Sequence, residues 1–246
     1  MSSRRRKSRE AALKALYQAD LVGHDPLAAL TTIVTEEHLQ PALESLAREF
    51  ILSTPAVQGQ TAEIESFIDG ISALPLEVLA DAGRRREAIE QLVLDSFHGP
   101  AAVPLSSDPV KALLDRVADK VAGVEQLHQF ARDLVERTQE HRTRIDGLLS
   151  QVADHWSLDR MASLDRAILR FATCELLFFP DVPVNVTINE AIEIARKYST
   201  DRSGEFVNGI LDKIKRDQRP EKYETARRRK GEATPSASGE PSATDK

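Results

Sequence analysis

The segment PVNVTINEAIEIARKYSTDRSGEFVNGILDKI, residues 183–214, reads as two amphipathic helices joined by a short break. Pro183 holds the entering chain extended, and Thr187 fits an N-cap. Glu190 follows three residues later, where its carboxylate can reach back to the Thr187 backbone N–H in a capping box. Val186 and Ala191 stand at the positions of a weak hydrophobic staple. Ala191, Ile192, Ala195 and Tyr198 recur at helical spacing, and residues 199–204 interrupt the pattern. Ser203 fits the cap of a last helix whose Phe206, Val207, Ile210, Leu211 and Ile214 form an apolar stripe. Two short amphipathic helices are not stable alone, so each must lay its stripe on a larger core.

Upstream, Ser157 fits the cap of a helix running through Leu158, Met161, Leu164, Ile168, Phe171 and Leu176 to the neighbourhood of Phe179 and Pro180. Residues 125–152 carry a longer pattern with Leu127, Phe130, Leu134, Ile145, Leu148 and Leu149. Helical segments are also expected at 36–53, with Pro41 as a break, at 76–97 and at 110–121. Gly99, Pro100, Pro104 and Pro109 mark a loop between the last two. The first helix is expected from about Ser8 to Leu21, with Leu13, Leu16 and Tyr17 at spacings of three and four. No alternating strand pattern or hairpin signature occurs, so the expected fold class is all-α.

The 246 residues are 41% hydrophobic but only 5% aromatic, which predicts a core of Leu, Ile, Val and Ala. No apolar run approaches the roughly twenty residues that span a bilayer. The basic N-terminus lacks the apolar stretch of a secretory signal. The one cysteine, Cys174, lies in an apolar helical run and reads as packing. It cannot form an internal disulfide and fits a reducing compartment. These features predict a soluble, cytoplasmic protein. Beyond Arg219 the composition turns rich in Ser, Ala, Pro and Glu, and residues 220–246 are expected to be a disordered tail.

Charge is unevenly spread. Residues 24–123 hold 7 basic and 16 acidic residues, a net of −9, against −6 for the whole chain. The flanks are therefore mildly basic, and residues 4–7 (Arg-Arg-Arg-Lys) strongly so. Positive charge at a helix N-terminus opposes the macrodipole by up to roughly 1 kcal/mol per charge, so the cluster serves something other than helix stability.

Three pieces converge on one family. RRRKSREAALKALYQADL, LDRAILRFATCELLFFPDVPVNVTINEAIEIARKY and the GEFVNGILDKI ending resemble the NusB transcription antitermination factors. The likeness covers residues 4–22 and about 126–216, and is thinnest at 126–157. It implies a helical domain over 1–219 built as two three-helix bundles, here with an enlarged acidic helical insertion within 24–123. It also implies binding to the boxA element of ribosomal RNA operon transcripts together with NusE, a small-subunit ribosomal protein. The pair then acts on elongating RNA polymerase with the other Nus factors.

Residue by residue, the resemblance places Arg5, Arg6, Lys7 and Arg9 at the RNA-binding end. Guanidinium groups suit phosphate oxygens, and unpaired bases stack on aromatic or Arg planes. Arg166 and Arg170, four apart on one helix, match basic positions near the RNA; a solvated helix face is the alternative. Arg202 falls where the family can carry an acid, and its positive charge should favour RNA. Phe206 matches an aromatic near the RNA path or packs in the core. Tyr17, at the family's junction of RNA and protein partner, is also open to a core reading. Asp159 and Asp165 match acidic positions that meet NusE, although Asp159 also suits a helix start.

Two departures stand out: the acidic insertion, whose only basic cluster is Arg84, Arg85 and Arg86, and the tail with its basic residues 227–230. A NusB-like domain also fronts some RNA cytosine methyltransferases, but nothing after residue 219 reads as a catalytic domain. No glycine-rich cofactor loop follows a strand. The six histidines are scattered without zinc spacing. The reading is therefore a non-enzyme with no catalytic residue, cofactor, metal, small-molecule substrate or membrane partner. The competing reading is a protein-interaction scaffold whose RNA specificity has weakened or been lost.

Overall fold

The computed structural model describes residues 4–99, 102–153 and 157–218. Eleven α-helices follow one another among them: α1 (Arg4–Val22), α2 (Pro26–Val34), α3 (Gln40–Ser53), α4 (Thr61–Ser72), α5 (Leu76–Ala80), α6 (Ala82–Ser96), α7 (Asp108–Glu140), α8 (Arg142–Val152), α9 (Ser163–Phe178), α10 (Val184–Tyr198) and α11 (Ser203–Gln218). No strand occurs among the described residues, so the all-α expectation holds. None of these helices is long and apolar enough to cross a membrane. The tail expected at 220–246, with its basic residues 227–230, lies outside the described residues. The chain divides into two compact units, Met1–Arg142 and Thr143–Lys246.

In the first unit α1, α2 and α7 pack pairwise as a three-helix bundle. Ala11, Ala12, Leu13, Ala15 and Leu16 form the buried face of α1. That helix ends at Gly23, whose N–H reaches the Ala19 carbonyl at 3.1 Å and whose φ of 71° then turns the chain out of the helix. Asp25 then caps α2, its Oδ2 accepting from the Ala28 N–H at 2.9 Å, with Pro26 in the first turn. The sequence reading missed α2, although Gly, Asp and Pro in this order signal one helix stopping and the next starting. It also missed α4, whose Ile64, Phe67, Ile68 and Ile71 keep helical spacing.

Helices α3 to α6 lie within residues 24–123, where the insertion is expected. Between α2 and α3 the chain makes a wide π-helical turn, Thr35–Leu39, just ahead of Pro41 in the first turn of α3. Proline has no N–H and its ring crowds the carbonyl four residues back, so the expected break becomes a widened turn. The insertion has its own core: the rings of Phe50, Phe67 and Phe97 lie 5.3 to 6.1 Å apart, all buried. The helix expected at 76–97 is two, divided at Asp81, whose Oδ1 accepts from the Arg84 N–H at 2.8 Å. The break expected between 121 and 125 is absent. Val110, Leu113, Val117, Val121, Val124, Leu127, Ala131 and Leu134 make one unbroken buried stripe along the 33 residues of α7, a rod about 50 Å long.

In the second unit α9, α10 and α11 pack pairwise as another three-helix bundle. Three local expectations are corrected. Ser157 precedes a 3₁₀ turn, Leu158–Arg160, and α9 begins only at Ser163. α10 begins at Val184 behind Pro183, so Thr187 is a buried first-turn residue and not the cap. Ser203 does not cap α11; its Oγ accepts from the Thr200 N–H at 3.2 Å and so closes the preceding turn. Gly204 lies so close to α10 that a Cβ would meet Arg196 Cγ at 3.0 Å. Cys174 is fully buried in α9.

Truncating the centre of the insertion core should be costly. Phe67→Ala is expected to lower unfolding free energy by about 3–5 kcal/mol, read as a lower urea midpoint. Leu52→Ala, at a position 75% exposed, should stay within about 0.5 kcal/mol of the parent.

Candidate nucleic-acid and partner interface

The cationic start of α1 is arranged by α7. Arg5 and Arg9, one helical turn apart, share a face that turns toward Phe130. Their guanidinium carbons lie 5.1 and 5.5 Å from the centre of that ring. Arg4 donates through Nη1 to Oε1 of Gln126, one turn earlier on α7. Arg5 stays exposed on this arrangement, Arg6 is half-buried and Lys7 is exposed. Arg9 is only 1% exposed. Packed between α1 and α7 against the Phe130 ring, it anchors the helix in this structure.

The opposite flank of α1 meets the insertion. Lys14 Nζ lies 2.5 and 2.6 Å from the two carboxylate oxygens of Glu37, which sits on the π-helical turn. Burial and, next, the Lys7 charge hold the neighbouring His38 below its ordinary pKa. Tyr17 is half-buried on α1. Near the end of this helix Asp20 accepts from Arg142 Nη2 at 2.8 Å.

The second unit brings Asp165, Arg202 and Phe206 together. Asp165 is 8% exposed; its Oδ2 accepts from Ser203 Oγ at 3.0 Å, while Oδ1 is buried without a hydrogen-bond partner among the described residues. This carboxylate borders a cavity of about 310 Å³ whose other walls include Met161, Thr200, Arg202, Ser203 and Phe206. Arg202 is exposed and Phe206 half-buried. Asp159 is exposed in the 3₁₀ turn and does not line the cavity. Arg166 is half-buried and donates through Nη1 to the Leu158 carbonyl at 3.1 Å.

Arg170 is also held inside the protein. It is 8% exposed and forks onto Asp146, Nε to Oδ1 at 2.7 Å and Nη2 to Oδ2 at 2.9 Å. Such a bidentate pair joins two planar groups, so Arg170 ties α8 to α9. The sequence reading placed Phe130 in an apolar pattern, and gave Asp146 and Glu37 no role. For Phe130 a signal existed: it stands one position off the stripe of Leu127, Ala131 and Leu134, where an aromatic ring is half-exposed.

Among the described residues no group of three His, Cys, Asp or Glu side chains is arranged to hold a metal ion. Residues 84–216 match the NusB family model, a match that begins within α6. The transcription antitermination protein NusB of Desulfitobacterium hafniense (strain DSM 10664 / DCB-2) is 47% identical over 108 residues, 44% of this chain and 73% of that one. The protein of the same name from Geobacter sulfurreducens is 42% identical over 130 residues, 53% and 89% of the two chains. A crystal structure of Thermotoga maritima NusB aligns over 91% of this chain and 99% of its own, with 26% identity and a TM-score of 0.48. The chain belongs to the NusB family, and as such is a transcription antitermination factor and not an enzyme.

Arg170→Ala should cost about 2–3 kcal/mol in urea unfolding, because it strands the Asp146 carboxylate; an open RNA ligand would lose about 0.5 kcal/mol or less. His38 gives a pH prediction. Its folded pKa lies below the ordinary 6.5, so the folded state binds fewer protons than the unfolded one. Its contribution to stability is full above about pH 6.5 and is lost as the pH falls through the lowered value. Thermal melts at about pH 7.5 and 5.5 should show a smaller acid-induced drop for His38→Gln than for the parent.

Proposed function

We propose that this chain binds a boxA-like single-stranded RNA of ribosomal RNA operon transcripts together with NusE, and acts with the other Nus factors on elongating RNA polymerase in the cytoplasm. The observation that carries the reading is the start of α1. Arg5 and Lys7 remain exposed at a helix N-terminus, where their charge opposes the macrodipole, on a chain of the NusB family. Arg5, Arg6 and Lys7 of the first unit, and Arg166, Arg202 and Phe206 of the second, are the RNA ligands in this reading. Arg9 and Arg170 hold the scaffold beneath them. Tyr17, Asp159 and Asp165 meet NusE; the free Asp165 Oδ1 suits an N–H donor from the protein partner.

One observation favours a second reading. The insertion has a separate aromatic core and lies within a segment of net charge −9, as a surface for a basic protein partner would. Nucleic acid and protein respond differently to salt. RNA affinity should fall with log salt by about 0.7 per phosphate neutralised, whereas apolar helix packing should hardly change.

Fluorescence anisotropy with a boxA-like strand and a scrambled control, each with and without NusE, separates the two readings. Preferential binding that NusE strengthens is expected. Arg5→Ala and Lys7→Ala should each weaken it about fivefold, or about 1 kcal/mol. Equal affinity for both strands in both conditions would sink the RNA reading.

A further inference from the structure

The ring that lies against the cationic end of α1 stands at the edge of the buried stripe of α7. Phe130 is half-exposed, while Leu127, Ala131 and Leu134 carry the buried face of α7. Two guanidinium groups reach this one ring, Arg9 with 1% exposure and Arg5 exposed to solvent. One helical turn away on α7, Gln126 takes Arg4. The arginine start of α1 thus lies along Gln126 and Phe130 rather than fraying into water. This matters because the charges at this terminus oppose the helix dipole, and a free arginine side chain must lose much rotamer freedom when it meets a phosphate.

We infer that Phe130 is a positioning residue for RNA binding: its ring face holds the Arg5 guanidinium in a fixed plane, with Arg9 anchoring α1 to the same ring. The attraction between cation and ring quadrupole pre-orders the fork that a phosphate or an unstacked base receives. Part of the ordering cost is thereby met before the ligand arrives. The inference rests on the RNA reading of α1 and deepens it. Phe130 need not touch RNA.

The test is a double-mutant cycle on the full chain, using the boxA-like RNA strand as probe. Phe130→Leu keeps an apolar side chain and removes the ring; Phe130→Tyr keeps both. Phe130→Leu should weaken RNA binding about threefold to fivefold, and Phe130→Tyr should bind like the parent. In an Arg5→Ala background the Phe130→Leu effect should vanish, because the group being positioned is gone. A second measurement needs no RNA. The Arg5 side-chain resonances should be displaced by the ring current in the parent and in Phe130→Tyr, and should lose that displacement in Phe130→Leu.

Additive effects, or full RNA affinity in Phe130→Leu while Arg5→Ala weakens binding, would overturn the inference and leave the RNA reading standing. An Arg5 resonance that ignores the ring would overturn it as well. RNA binding indifferent to Arg5→Ala would remove the RNA reading of α1 and the inference with it.

Discussion

The first unit depends on one uninterrupted apolar stripe. Val110 through Leu134 on α7 recurs every three or four residues without a gap, and a continuous stripe can be buried only by a continuous helix. Its later turns complete the bundle with α1 and α2, while α3, α5 and α6 of the insertion also pack on the helix. Gly123 lies in the middle and costs up to about 1 kcal/mol of helix propensity. Val121, Val124 and Leu127 on either side are each 7% exposed or less. Burial of three such side chains, at roughly 1.5–3 kcal/mol each, outweighs the glycine.

Electrostatics add a second layer to the same arrangement. The cations of α1 are not an undifferentiated basic patch. Arg9 is buried, Arg6 is half-buried, Lys14 is matched by Glu37, Arg4 is exposed but hydrogen-bonded to Gln126, and Arg5 and Lys7 are exposed. A helix carrying so many like charges repels itself, and the acidic π-helical turn offsets part of that repulsion at close range. Exposed pairs of this kind contribute at most about 1 kcal/mol to stability. Their larger effect is to decide which cations stay available to an anionic ligand.

Much of this was legible in the sequence, and what was not has a common cause. The stripes of α1, α9 and α11 could be read because periodicity is local, and so the all-α class followed. Helix starts were misplaced where two local signals competed: Pro183 begins α10 although Thr187 and Glu190 have the spacing of a capping box. The expected helices stop at 121 and resume at 125 although α7 runs through, because the burial that holds Val121 and Val124 is not visible in sequence. The site was less legible still. Arg170 and Asp146 are 24 residues apart, Asp165 and Ser203 are 38 apart, and Lys14 and Glu37 are 23 apart. A charged residue's exposure is set by such distant partners, so a basic helix position and a buried ion pair look alike in the sequence.

The unbroken character of α7 also constrains how this chain can vary. A loop absorbs an added residue by bulging, but a helix transmits it. One residue gained or lost between Val121 and Phe130 would turn the preceding part of α7 by about 100° and shift it about 1.5 Å along the axis. The whole insertion would then point elsewhere relative to α1, and Glu37 would leave Lys14. Changes of seven residues nearly restore the face, at two helical turns. This chain should therefore tolerate length changes along α7 only in steps near seven residues, and freely in the loops between α3, α4, α5 and α6.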